Sequence, residues 1–126
     1  MKNQLTLLLL TLIGICLFSC AEQKPSPLGK WFPVAVDSEY ISSYQLSKAD
    51  LESMMKNNSI ELTPEGKFIA ISPHDTARGT YSYDEKGKHL TTAVGASEPI
   101  QFTIEFPERN KMILGTSSGK ITLARK

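Results

Sequence analysis

The sequence predicts an all-β fold: an up-and-down antiparallel barrel of about eight strands, with one short helix between the first two strands. Three observations predict it. From Gly29 onward apolar residues recur with period two in short β-rich runs, the runs are joined by short turn-forming stretches, and one stretch alone carries helical spacing. Strands joined by short turns pair with their neighbours, and a meander of this size removes its two open edges most simply by closing on itself.

The expected strands are Trp31 to Val36, Ser59 to Leu62, Lys67 to Ser72, Arg78 to Tyr83, His89 to Ala93, Ile100 to Phe106, Lys111 to Gly115 and Lys120 to Ala124. The clearest is the sixth, where Ile100, Phe102, Ile104 and Phe106 alternate with Gln101, Thr103 and Glu105, giving one buried and one wet face. On the fourth, Tyr81 and Tyr83 share one face and Thr80 and Ser82 the other, and the residues leave open which face points inward. The third is apolar on both faces, through Phe68 and Ala70 and through Ile69 and Ile71, so its outer side calls for a cover from the helix or a partner.

The turns carry their own chemistry. Thr63-Pro64-Glu65-Gly66 puts proline where φ must be near −65° and glycine where the chain leaves the turn, and Asp84 to Gly87, Phe106 to Asn110 and Thr116 to Gly119 read the same way. The helix is expected from Lys48 to Asn57. Ser47 caps it with Asp50 three residues on, Leu46 and Leu51 have the spacing of a hydrophobic staple, and Leu51, Met54 and Met55 share a face. That face either plugs one end of the barrel or forms a lid over a ligand mouth.

Ahead of the barrel, Met1-Lys2 and an apolar run from Leu5 to Phe18 have the composition of a secretory signal, and the run is shorter than the ~18 residues of a spanning helix. Leu17-Phe18-Ser19-Cys20 resembles the lipobox of bacterial lipoproteins, with an aliphatic residue three before the cysteine and a small one directly before it. The resemblance implies that residues 1–19 are a cleaved signal, that Cys20 is diacylated and becomes the first residue, and that residues 20–28 are a lipidated linker. The protein would then sit in the cell envelope of a bacterium, its lipid in a membrane, expected to be the outer one. Two or more acyl chains anchor stably where one does not. The alternative is an ordinary secreted chain cut near Ala21. Residues 21 to 28, polar with Pro25 and Pro27, read as an extended spacer.

Composition narrows the function classes. The chain has 14 basic and 13 acidic residues, and loss of Lys2 with the signal equalises them, which argues against nucleic acid, a partner that requires a basic face. Of the 2 cysteines, Cys16 leaves with the signal and Cys20 takes the lipid, so no intrachain disulfide is expected and the core alone must supply stability.

Gly29-Lys30-Trp31, at the head of the first strand of a small barrel, resembles the Gly-x-Trp that opens lipocalins and fatty-acid-binding proteins, and the chain from 29 to 126 is similar to the short lipocalin-like domains of Bacteroidetes lipoproteins. The resemblance implies that Trp31 packs across the closed end of the barrel, with Arg125 lying over it as a barrel-closing pair. It also implies a small apolar or amphipathic ligand, for which Trp31, Tyr81, Tyr83, Phe102 and Ile104 are the lining candidates.

Enzyme chemistry finds no footing in the residues. Gly115 to Lys120 has too few residues between its glycines for a phosphate loop and runs into a strand, and His74-Asp75 and His89 fall short of a zinc set. No catalytic set, metal site or cofactor is expected. Two functions stay open: a membrane-anchored binder of a small ligand, or a solid barrel serving as a protein-interaction or inhibitor module of the envelope, meeting its partner through loops such as Pro73 to Ala77 or Val94 to Pro99.

Overall fold

The structure is a computed structural model and describes residues 24–125; the signal segment and Cys20 lie outside the described residues. The chain runs β1 (Gly29–Val36), α1 (Ser38–Tyr44), α2 (Lys48–Asn57), β2 (Ser59–Leu62), β3 (Lys67–Ile71) and β4 (Thr76–Asp84). It continues through β5 (His89–Ala93), β6 (Ile100–Glu108), β7 (Lys111–Thr116) and β8 (Gly119–Arg125). All eight strands form one closed antiparallel barrel in which each pairs with the next and β8 returns to β1. The helix expected at Lys48 to Asn57 is present, with both halves of its capping box made: Asp50 N–H donates to Ser47 Oγ at 3.1 Å and Ser47 N–H to Asp50 Oδ2 at 2.9 Å. A second helix, α1, precedes it and has no counterpart in the sequence reading.

Two proline positions shape the wall. A strand proline lacks the ladder N–H and is tolerated at bulges. Pro33 sits where the β1–β8 register shifts, between Pro33 and Ala35, and Pro107 lies inside the β6–β7 shift between Glu105 and Glu108. The second shift carries β6 on to Glu108, which pairs with Lys111, so the connection is tighter than the expected Phe106 to Asn110 turn. β1 pairs with β2 only from Gly29 to Trp31 and with β8 from Trp31 to Val36, and α2 packs against β1 above the point where β2 leaves it.

At the end where β1 begins and β8 finishes, Trp31 is fully buried in an apolar core that includes Leu62, Ile104, Met112 and Leu123. Its indole Nε1–H donates to the Pro27 carbonyl at 2.8 Å, and the Phe106 ring lies 6.5 Å away, tilted by 47°. Arg125 faces Trp31 across the β1–β8 pair with its guanidinium carbon 4.4 Å from the ring centroid, and donates to the Ser26 carbonyl at 2.7 Å. The linker's last residues are thereby strapped over the closed end. On β4 the exposed and half-buried residues alternate, which turns Tyr81 and Tyr83 inward onto the core and resolves the choice of face. Tyr81 donates its hydroxyl to the Thr63 carbonyl at 2.6 Å, and burial raises both phenols above their ordinary value. On β3, Phe68 packs toward the core, while Ile71 on the other face is 39% exposed.

Candidate functional site

The opposite end of the barrel, where β1 finishes and β2 begins, is covered by the helices and is hollow. α1 starts at Asp37, whose carboxylate accepts from Tyr40 N–H at 2.8 Å, the usual way a helix N-terminus satisfies its free amides. Asp37 N–H in turn donates to the Lys120 carbonyl of β8 at 3.1 Å, so the cap also moors the helix to the wall. The amides of Tyr40 and Lys120 hold the Asp37 carboxyl below its ordinary range. Gly119 completes the seat. Its φ is +128°, and a Cβ there would strike the Tyr40 backbone and stand 2.7 Å from Asp37 Oδ1. Only glycine lets α1 come this close.

This seating directs Tyr40 and Tyr44, one helical turn apart with ring centroids 4.7 Å from each other, toward the barrel mouth. Below them lies a cavity of about 270 Å³ walled by Ile60, Leu90, Phe102, Met112, Leu114 and Ile121, with Thr92 and Thr116 as polar exceptions. Tyr44 and Ile100, each 54% exposed, stand at its rim. A second cavity of about 280 Å³ lies toward β2–β4 and α2, bordered by Pro33, Met54, Asn58, Ser59, Ala70 and Asp75 among others. Tyr40, Ile60 and Ile121 border both. Burial raises the Tyr40 phenol above its ordinary value, with Tyr44 adding to the effect. The Asn58 side-chain oxygen is buried without a hydrogen-bond partner.

Of the five residues singled out in the sequence as ligand-lining, Phe102 borders the cavity. Trp31, Tyr81, Tyr83 and Ile104 are not among the residues that border either cavity; Trp31 and Ile104 lie in the buried core, Tyr81 and Tyr83 pack against it, and Arg125 covers Trp31. Alternation groups residues by face without saying which face points inward, and depth along the barrel axis follows from the register between strands, which one sequence does not display. Leu90 with Thr92 on β5 and Met112 with Leu114 on β7 carry the same period-two signal, and it is these that line the cavity. α2 contributes Met54 to the edge of the second cavity, while the mouth itself is occupied by α1, so the plug-or-lid question attaches to the helix that sequence reasoning missed.

The remaining motifs resolve into structure. Gly115 to Lys120 is a hairpin: Thr116 pairs with Gly119, and Ser118 N–H donates to Thr116 Oγ1 at 3.1 Å. His74 is exposed in the β3–β4 connection, and His89 pairs in register with Asp84 and Thr103. Among the described residues no group of three or more His, Cys, Asp or Glu is placed to hold a metal ion. What the hollow end can do chemically is enclose apolar surface and offer a few hydrogen-bonding groups, with the Asp75 carboxylate at the second cavity the charged one among them.

Comparison with solved structures finds a crystal structure of a DUF4847 family protein from Bacteroides vulgatus ATCC 8482. At 13% sequence identity it covers 78% of this chain and 92% of its own, with a TM-score of 0.54. That likeness is one of fold. The chain matches no protein-family profile and no curated protein.

Proposed function

We propose that the protein is a membrane-anchored, lipocalin-like lipoprotein of the bacterial envelope whose barrel binds a small apolar or amphipathic molecule at its hollow end. The observation that carries the binding half is the cavity of about 270 Å³ beneath Tyr40 and Tyr44, walled almost wholly by apolar side chains. A water occupies ~30 Å³ of liquid, so this void is far larger than a packing defect, and ligand sites are typically ~300–1,000 Å³ and apolar with a few polar groups. An eight-stranded barrel is the size at which an interior is either filled or holds one small ligand. The void weighs toward the second state and away from a solid interaction module. The anchoring half rests on Leu17 to Cys20 in the sequence.

Titration with N-phenyl-1-naphthylamine, a neutral probe that brightens in apolar surroundings, tests the binding half. One probe should bind per barrel, and Thr92→Phe, which projects a ring into the cavity from a residue 4% exposed, should abolish binding while the barrel stays folded. No binding by the folded wild type rejects the proposal. For the anchor, radiolabelled palmitate should enter the wild type and be absent from Cys20→Ala; equal labelling, or none in either, rejects it.

A further inference from the structure

The two cavities differ in chemistry. The one under Tyr44 is bounded by Leu90, Phe102, Met112 and Leu114, whereas the one beside α2 is bordered by Asn58, Ser59, Ser72 and Asp75 as well as by Met54 and Ala70. Either alone is just under the usual volume of a ligand site, and the two share Tyr40, Ile60 and Ile121 in their walls. Among the described residues no Lys, Arg or His borders either cavity, and the one charged side chain that does is the carboxylate of Asp75.

A ligand carboxylate entering here would lose its hydration with no cation to meet it and an anion nearby, which disfavours its charged form. The unmet need of the site is the reverse. Asn58 Oδ1 is buried with no donor, and a buried acceptor left unpaired is costly until something donates to it. Asn58 ends α2, its backbone N–H bonded to the Met54 carbonyl, so the residue is fixed while its terminal side-chain torsion is soft enough to turn the oxygen toward the cavity.

We infer that the barrel selects a neutral or cationic amphiphile whose head donates a hydrogen bond, as an alcohol or a protonated amine does, and discriminates against carboxylates. The head is received at Asn58 and the apolar body lies in the cavity beneath Tyr40 and Tyr44. This rests on the reading of the barrel as a ligand binder, and it sets the chemistry of that ligand apart from a free fatty acid.

The test is displacement of N-phenyl-1-naphthylamine from the purified full chain at pH 7.5 by decan-1-ol, decylamine and decanoate, each below its aggregation threshold. Decan-1-ol and decylamine should displace the probe at concentrations about tenfold lower than decanoate. Asn58→Leu, with each displacement normalised to that variant's own probe affinity, should lower the alcohol-to-carboxylate ratio severalfold, leaving the part of the preference that comes from the carboxylate's lost hydration. Asn58→Asp, nearly isosteric, should favour decylamine over decan-1-ol. Decanoate displacing as well as decan-1-ol or better, or an unchanged ratio in both variants, overturns the inference. Failure of the probe to bind at all overturns instead the binding reading beneath it.

Discussion

Trp31 is held by three different interactions, and each sets a separable expectation. Its Nε1–H meets the Pro27 carbonyl, its face lies under the Arg125 guanidinium, and its body fills the core between β1 and the neighbouring strands. Trp31→Phe keeps an aromatic face but leaves the Pro27 carbonyl without its donor, and should cost about 1–3 kcal/mol in urea unfolding. Tyr81→Phe removes the bond to the Thr63 carbonyl and should cost about 0.5–1.5 kcal/mol, with the inward ring still packed. Leu90→Ala, at a residue 1% exposed, should cost about 2–5 kcal/mol, toward the low end because one side of Leu90 already borders empty space. None of the closed-end substitutions should alter the probe-binding affinity, since neither Trp31 nor Tyr81 borders a cavity. At this scale the sequence was informative about what a residue is and silent about how deep it lies. Trp31 and Arg125 were paired by resemblance, and the pair is in contact; Tyr81 and Tyr83 read as equally good for lining or contact because alternation does not give direction.

α1 and α2 show the limit of local signals from opposite sides. α2 announces itself through Ser47 and Asp50, a reciprocal cap visible in the residues. α1 has seven residues, three of them serine, and ends at Gln45 in a left-handed conformation with φ +51°, where a glycine would have marked the stop. So short a helix is marginal by propensity, and it forms because Asp37 bonds to β8 and Gly119 leaves room for it. Gly119→Ala should therefore unseat α1, combining a clash with Tyr40 and a left-handed strain of about 1–3 kcal/mol. Faster hydrogen exchange and new proteolytic cleavage within α1, with the strands still protected, is the expected outcome. Acid should act on the same element. The Asp37 carboxyl is held below its ordinary value of 3.8, so its contribution is fully present above that value and is lost only as pH falls through the lower folded-state value. α1 amide protection should stay level from pH 7 to about 4 and drop below that, and Asp37→Asn, also a good cap, should blunt the drop. The strands were the most legible elements: Ser59 to Leu62 and His89 to Ala93 agree with β2 and β5 end for end, since each is bounded by turn chemistry and one buried face.

Taken as a whole, the molecule divides along its axis. One end is closed by Trp31, Arg125 and the strapped linker; the other is roofed by α1 and hollow beneath it. If Cys20 bears the lipid, the chain reaches the barrel at its closed end, so the mouth is free to meet a ligand on the side away from the attachment point. The closed barrel was legible because every strand and turn pointed to it, whereas the roof of the hollow end depends on Asp37 and Gly119 meeting from distant parts of the chain, which no single stretch of sequence encodes. The central claim is that this hollow end holds a ligand. Amide and side-chain NMR shifts recorded while N-phenyl-1-naphthylamine is added to the full chain test it most directly. The expected result is saturable shifts at Ile60, Phe102 and Leu114 with the indole proton of Trp31, the protein's 1 tryptophan, unmoved. Shifts confined to the outer faces of the strands, or none at saturating probe, would contradict it.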